Sequence, residues 1–434
     1  MQRTGISSIW ARTNQAAQGR AHRSGTFRAL NYPNFRLFFY GQLVSLIGTW
    51  MQSVAQQWLV YRITDSASKL GIVAAASSLP VLFLSLWAGV FIDRLPKRWV
   101  IVGTQTVAML LAFTLAALVF LDVVQFWHVV VLATLLGCVN AIDMPARQSF
   151  VPEMIDDKAD LGNAIALNSS IFNGARVIGP AVAGILVAAV GEATAFSING
   201  ISYLAVLAGL LMMRLPHFES TASHRTPLLD LTEGVRYVLR DPIKRVLIGA
   251  LMVHSIFGSL HITLMPVFAR DVFTTTGVAA LENGELRLGV LMAVFGLGAL
   301  IASLSLATLE DRVRRGVRIT IGLFIYPIAF ILFSLAPNFW VALPLLALGG
   351  WAMITLLATS NTLLQTTTPD ELRGRVMSLY TLVLVGFMPF GSLLAGFLTD
   401  QLGSAPLAVR MAQSVVLLTA FAVFFLAPHL RRAD

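Results

Sequence analysis

Gly89, Asp93, Arg94, Lys97 and Arg98 follow the spacing Gly-x-x-x-Asp-Arg-x-x-Lys-Arg between two long apolar runs. A glycine there lets a neighbouring helix come close. An aspartate accepts charge-assisted hydrogen bonds from an arginine or from the N–H groups of a helix N-terminus. Contacts of that kind hold one arrangement of helices and release in another, which is the chemistry of a gate. The plainer reading is a solvated loop anchored at lipid headgroups. A degraded second copy, Ala307–Arg315, carries Asp311 and Arg312 218 residues later, and the duplication weighs toward the gate.

Further ionisable groups sit inside or beside apolar runs. Asp143 and Arg147 are one helical turn apart, spaced for a titrating or gating pair. His254 and His261 have an ordinary pKa of about 6.5, the range a proton carrier needs, although a lone membrane histidine also serves as a helix-packing donor. These four are the candidates for coupling to protons. Arg176 lies within an apolar run, where insertion costs about 2.5 kcal/mol or more. It is therefore expected to face a wet cavity or a partner.

Neutral polar residues outline an interior. Gln42, Ser45, Thr49, Gln52 and Gln56 recur at steps of three and four, a single stripe along one helix. Amides facing lipid would go unsatisfied, so the stripe faces other helices, either as cavity wall or as helix-packing glue. His254, Gly258, His261 and Met265 make the matching stripe in the second half, and Asn140, Asn168, Asn173, Thr355, Thr359 and Asn361 add to it. With Phe172, Trp351 and Tyr380, the inferred pocket is large, aromatic and mostly neutral, suited to an amphipathic small molecule.

Composition sets the solvent of these elements. The 434 residues are 56% hydrophobic and 12% charged, against roughly 25% charged in a soluble domain. The net charge of +9 resides in short loops between apolar runs, so no nucleic-acid partner is expected. A single cysteine, Cys138, and the lack of any Cys/His spacing for zinc imply neither a disulfide framework nor a metal or other cofactor. Neither a Gly-x-x-x-x-Gly-Lys-[Ser/Thr] loop nor a nucleophile, paired-carboxylate or His-x-x-x-His pattern is present. An enzyme is therefore not expected. A sensor would carry a large soluble domain or an odd number of spans.

A membrane helix needs about 20 mostly apolar residues, and twelve such stretches can be counted, six on each side of a polar segment. The expected fold is all-α and integral to the membrane: twelve transmembrane helices in two pseudo-symmetric six-helix bundles. Its parts are an N-terminal arm (1–34), a first bundle (35–213), a linker with an amphipathic surface helix (214–245), a second bundle (246–430) and a short tail (431–434). With the N-terminus inside, 25 of the 31 lysines and arginines fall on the cytoplasmic side, which places both termini in the cytoplasm. The arm has Arg3, Arg12, Arg20, Arg23 and Arg28 but no apolar h-region, so it is expected to be a cytoplasmic extension rather than a signal peptide. The halves echo one another: Gly174, Gly179 and Gly184 return as Gly386, Gly391 and Gly396, and Lys69-Leu70-Gly71 returns as Arg287-Leu288-Gly289.

The Gly89–Arg98 loop and its second copy resemble the major facilitator superfamily of transporters. Asn31–Arg36, Asp143-Met-Pro145-Ala-Arg147-Gln148 and Pro369-Asp-Glu-Leu-Arg373-Gly374-Arg375 resemble the branch that contains the enterobactin exporter and related drug-efflux permeases. Arg176-x-x-Gly179-Pro180-Ala-x-Ala-Gly184 is similar to the antiporter motif of that superfamily's exporters. In the second copy of the loop Ala307 replaces the glycine, so a looser helix contact is expected there. The resemblance implies a monomeric secondary active exporter of a siderophore- or drug-like molecule in the inner membrane. It would work by proton antiport and alternating access, with Gly179, Pro180, Gly184, Gly391 and Gly396 at hinges. A lysolipid carrier is the alternative cargo reading.

Overall fold

A computed structural model describes residues 27–92, 95–215, 227–309 and 313–432. The described residues form helices and no strand. The first half comprises α1 (Pro33–Thr64), α2 (Ala67–Ile92), α3 (Lys97–Phe120), α4 (Phe126–Phe150), α5 (Leu161–Val190) and α6 (Glu192–Met212). The short α7 (Pro227–Arg240) precedes the second half. That half comprises α8 (Pro242–Val272), α9 (Gly284–Leu309), α10 (Arg315–Ser334), α11 (Phe339–Thr366), α12 (Asp370–Leu402) and α13 (Ala405–Leu426).

Eleven of these helices are long and apolar enough to cross a membrane. The twelfth is α1, whose 32 residues reach about 48 Å at 1.5 Å per residue. Its two arginines and four glutamines make it more polar than the others, and that polarity reflects what it packs against. Gln52 accepts from Asn199 Nδ2 of α6 at 2.6 Å, and a Cβ on Gly48 would strike Asn199 Oδ1 at 2.5 Å. Much of the stripe is thus a polar seam between α1 and α6.

Two helices of the second half are locally widened into π turns. α8 contains π turns at His254–Gly258 and Phe268–Val272, and α12 contains one at Leu382–Gly386. A π turn frees a carbonyl from the helical ladder. That of Gly258 accepts from Tyr326 Oη at 2.8 Å and Gln413 Nε2 at 2.9 Å, and His261 Nδ1 lies 3.0 Å away. α7 is amphipathic, but it rests on protein: Val238 is buried among Leu247, Leu251, Val376 and Leu379, and Arg375 pairs with Glu233 at 2.7 Å. Leu239, next to Val238 in the sequence, is exposed.

Two crossings join the halves, and they are copies of one another. Where α5 meets α9, a Cβ on Gly184 would lie 2.8 Å from the Gly289 Cα, and one on Gly289 would lie 2.8 Å from the Pro180 carbonyl oxygen. Where α2 meets α12, a Cβ on Gly71 would lie 2.4 Å from the Ser392 carbonyl oxygen, and one on Gly396 would lie 2.4 Å from that of Ala67. Only glycine permits such approach. Gly71 and Gly289 are repeat equivalents, as are Gly184 and Gly396 and Pro180 and Ser392.

Candidate functional site

Between the halves lies a cavity of ≈ 330 Å³. Its walls come from α1, α2 and α5 of the first half and from their counterparts α8, α9 and α12 of the second. The two walls differ. The first half contributes Arg176 and the polar Ser53, Gln56, Gln57, Ser77 and Ser78; the second contributes Ile262, Met292, Phe295 and Met388, with Thr263 and Ser392. The repeat makes the difference explicit, since Ser77 corresponds to Phe295, Ala74 to Met292 and Arg176 to Met388. No Asp or Glu is among the lining residues.

The guanidinium carbon of Arg176 stands 5.5 Å from the Trp50 ring of α1 and 5.4 Å from the Phe295 ring of α9. Among the described residues no carboxylate is paired with it and no protein acceptor takes its hydrogen bonds. Two cation–π contacts at roughly 0.5–2 kcal/mol each offset part of the cost of an arginine in the membrane. The five N–H donors still require acceptors. Phe172 packs edge-on to Trp50 at 5.9 Å and is 42% exposed, outside the cavity wall.

At the end away from α7, the cavity is shut by contacts between the halves. Arg270 pairs with Asp65 at 2.6 Å, and the Tyr61 hydroxyl donates to Asp271. Asp400 of α12 caps the first turn of α2 from the opposite half: it accepts from Ala67 N at 3.1 Å, Ser68 N at 3.0 Å and Ser66 Oγ at 3.0 Å. Asp65 is 70% exposed, so its ion pair adds at most about 1 kcal/mol. The cap adds about 0.5–2 kcal/mol. The seal is therefore light. Among the described residues, the hydrogen bonds and ion pairs between the halves cluster at this end.

The sequence-predicted site residues separate into four groups. Gln56 and Arg176 reach the cavity. Gln42 and Gln52 are buried in the first half and Thr49 bonds the Ser45 carbonyl, so these three stripe members lie off the cavity wall. Asn140 and Asn168 are partly buried away from the cavity, Thr355 is buried, and Asn361 accepts from Gln365 of its own helix.

His254 and His261 are placed in the packed core of the second half rather than on the cavity wall. His254 lies 4.5 Å from the Tyr326 ring, and His261 stacks on Phe330 at 3.7 Å. The π turn rotates this stretch of α8 inward, which the regular helical spacing did not anticipate. Asp143 and Arg147 do pair, at 2.5 Å. Thr104 Oγ1 at 2.5 Å and Gln105 Nε2 at 3.0 Å complete the shell around the buried carboxylate.

Of the loop residues, Lys97 bonds Glu153 and Arg98 bonds the Leu211 carbonyl at 2.8 Å, both within the first half. Gly89 lies in the last turn of α2; Asp93, Arg94, Asp311 and Arg312 lie outside the described residues. Gly179 packs against Trp50 and Gly391 against the π turn at Ile256, as equivalent residues of the two halves should. α5 continues unbroken through Pro180. Reading the sequence missed Trp50, Phe295, Asp400 and Ser392. The repeat offset from Pro180 was the one signal that pointed to the last of these.

Two repeated six-helix halves around a shared cavity define a multi-pass membrane transporter rather than an enzyme. Residues 24–434 match the family described as transmembrane secretion effector, and the chain belongs to that family, within the major facilitator superfamily. It is similar to the multidrug efflux pump Tap of Mycolicibacterium fortuitum, 26% identical over 92% of this chain and 96% of that one. It is also similar to the staphyloferrin A transporter of Staphylococcus aureus, 27% identical over 88% of this chain and 94% of that one. In fold it resembles a bacterial homologue of the human lysosomal transporter Spinster, solved inward-facing and unoccupied. The TM-score is 0.67 at 15% identity, covering 94% of this chain and 98% of that one.

Proposed function

We propose that this protein is a secondary active exporter of a small amphipathic organic molecule, siderophore- or drug-like, across the cytoplasmic membrane. The observation that carries the reading is the cavity enclosed by three pairs of repeat-related helices, with polar contacts between the halves across one end. Relatives named as an efflux pump and a siderophore transporter support the cargo class. The excess of basic residues at the α7 end supports a cytoplasmic placement of both termini. In that frame the contacts of Asp400, Asp65 and Arg270 lie on the outer side. Cargo enters from inside; the seal of Asp400, Asp65 and Arg270 breaks, and the halves rock about the glycine crossings to release it outside.

For energy coupling, Asp143 is the group best placed. It is a buried carboxylate whose three partners belong to α3 and α4, with Tyr203 of α6 beside the pair. Its ion pair with Arg147 and its bonds to Thr104 and Gln105 tie α3 to α4, whereas the histidines pack against aromatic rings inside the second half. The test is transport in proteoliposomes with an imposed pH gradient and tetracycline, a macrolide and a catechol siderophore as trial cargoes. Asp143→Asn should keep downhill exchange and lose acceleration by the gradient, whereas His254→Gln with His261→Gln should keep both. Gradient-driven export that survives in Asp143→Asn removes this carboxylate from coupling. No movement of any trial cargo by the native protein counts against export itself.

A further inference from the structure

Resting on the transport reading, we propose that the cavity is a binding site for an organic anion, a carboxylate-bearing amphiphile whose charged end pairs with Arg176 and whose apolar body lies against the second half. The guanidinium carbon lies over two rings, 5.5 Å from that of Trp50 and 5.4 Å from that of Phe295. Ring contacts use none of the in-plane lone-pair acceptors that its five N–H donors require. A carboxylate meets such donors with two parallel hydrogen bonds. Neither wall of the cavity offers an acid, so the cation has no competing partner. The same lack leaves a cationic cargo nothing to pair with, and places it beside a like charge.

The opposite wall fixes how the anion lies. At the position equivalent to Arg176 the second half carries Met388, and Met292 and Phe295 stand where the first half has Ala74 and Ser77. The charge and the two amides therefore belong to the first half, beside Trp50 and several aliphatic residues, and the thioethers and Phe295 to the second, with the hydroxyls of Thr263 and Ser392. A molecule with one anionic end and an apolar or aromatic body fits that division. The amide oxygen of Gln57, buried without a partner in the first-half wall, can accept from a hydroxyl or N–H on the cargo. Because Arg176 belongs to the first half and Phe295 to the second, an anion bound here sits at the joint on which the halves move.

The test is equilibrium binding to the purified full-length protein in lipid nanodiscs, without a gradient, using three probes of one shape: naphthoate, naphthamide and naphthylmethylammonium. A charge-assisted contact predicts naphthoate binding at least about tenfold tighter than the amide, with the ammonium weakest. Arg176→Gln should erase the difference between naphthoate and amide, and Arg176→Lys, which keeps charge without the planar fork, should retain part of it. Moving the charge with Arg176→Met and Met388→Arg together should restore the preference for naphthoate. Equal binding of naphthoate and amide to the native protein overturns the proposal. So does a preference that survives in Arg176→Gln. Should that variant fail to fold, the native comparison and Arg176→Lys decide. Arg176-dependent naphthoate binding in a protein that exports nothing would uphold the anion site and remove the export reading. Driven export of neutral cargo with equal probe affinities would do the reverse.

Discussion

The α5·α9 and α2·α12 crossings share a glycine skeleton but carry different chemistry. In each, a glycine four residues into α2 or five into α9 faces the carbonyl of Pro180 or of its repeat equivalent Ser392. Around that common frame, α5 bears Arg176 toward the cavity, where α12 bears Met388. The α12 end supplies Asp400 as a cap for α2, whereas α5 ends on Gly191. Duplication thus supplies the glycine crossing twice, and divergence has made one copy a charged cavity wall while the other carries a helix cap between the halves.

The largest effects should come from the shared frame. Gly184→Leu and Gly396→Leu each force a side chain into backbone, and overpacking by about 1–3 kcal/mol should depopulate the closed far end by roughly fivefold to a hundredfold or more. Cysteine crosslinking across that end, alongside transport, would measure it. Both variants should lose transport while remaining in the membrane; full activity in one alone would break the equivalence of the crossings. A smaller effect belongs to that helix cap. Asp400→Ala removes about 0.5–2 kcal/mol of capping from the closed far end only, so the exchange rate between conformations should change. A variant indistinguishable from native in crosslinking would reduce the cap to decoration.

The smallest effect concerns the entrance to each half. Asp241 caps α8 by accepting from Ile243 N at 2.9 Å and Lys244 N at 3.1 Å, whereas its counterpart Tyr32 gives α1 no side-chain cap. Burial pushes the Asp241 carboxyl up, but the Lys244 ammonium and the two N–H groups outweigh it and hold it below the ordinary carboxylate range. A depressed folded value means that its contribution is present above the unfolded value of about 3.9 and lost as pH falls through the lower one. Asp241→Ala should therefore lower thermal stability by about 0.5–1 kcal/mol at neutral pH, and the gap to native should close in acid. A gap that persists at low pH would mean the cap acts through packing rather than charge.

Span number, the two-half repeat and the glycine positions were legible in the residues alone, because apolar length and spacing report directly on what lipid and close helix packing demand. Arg176 was legible for the same reason: an arginine in lipid is too costly to be incidental. The walls of the cavity were not. Gln52 and Gln56 lie on the same stripe, yet one meets Asn199 and the other the cavity, and that choice depends on which neighbour each turn of α1 faces. Nor did spacing foresee the π turn at His254–Gly258, which swings two histidines into an aromatic core. Local chemistry determined that this chain is a helical, multi-pass membrane protein built from two related halves. Which polar groups look at cargo and which at one another was decided only by how those halves pack, since a helix periodicity names a face but not the partner opposite it.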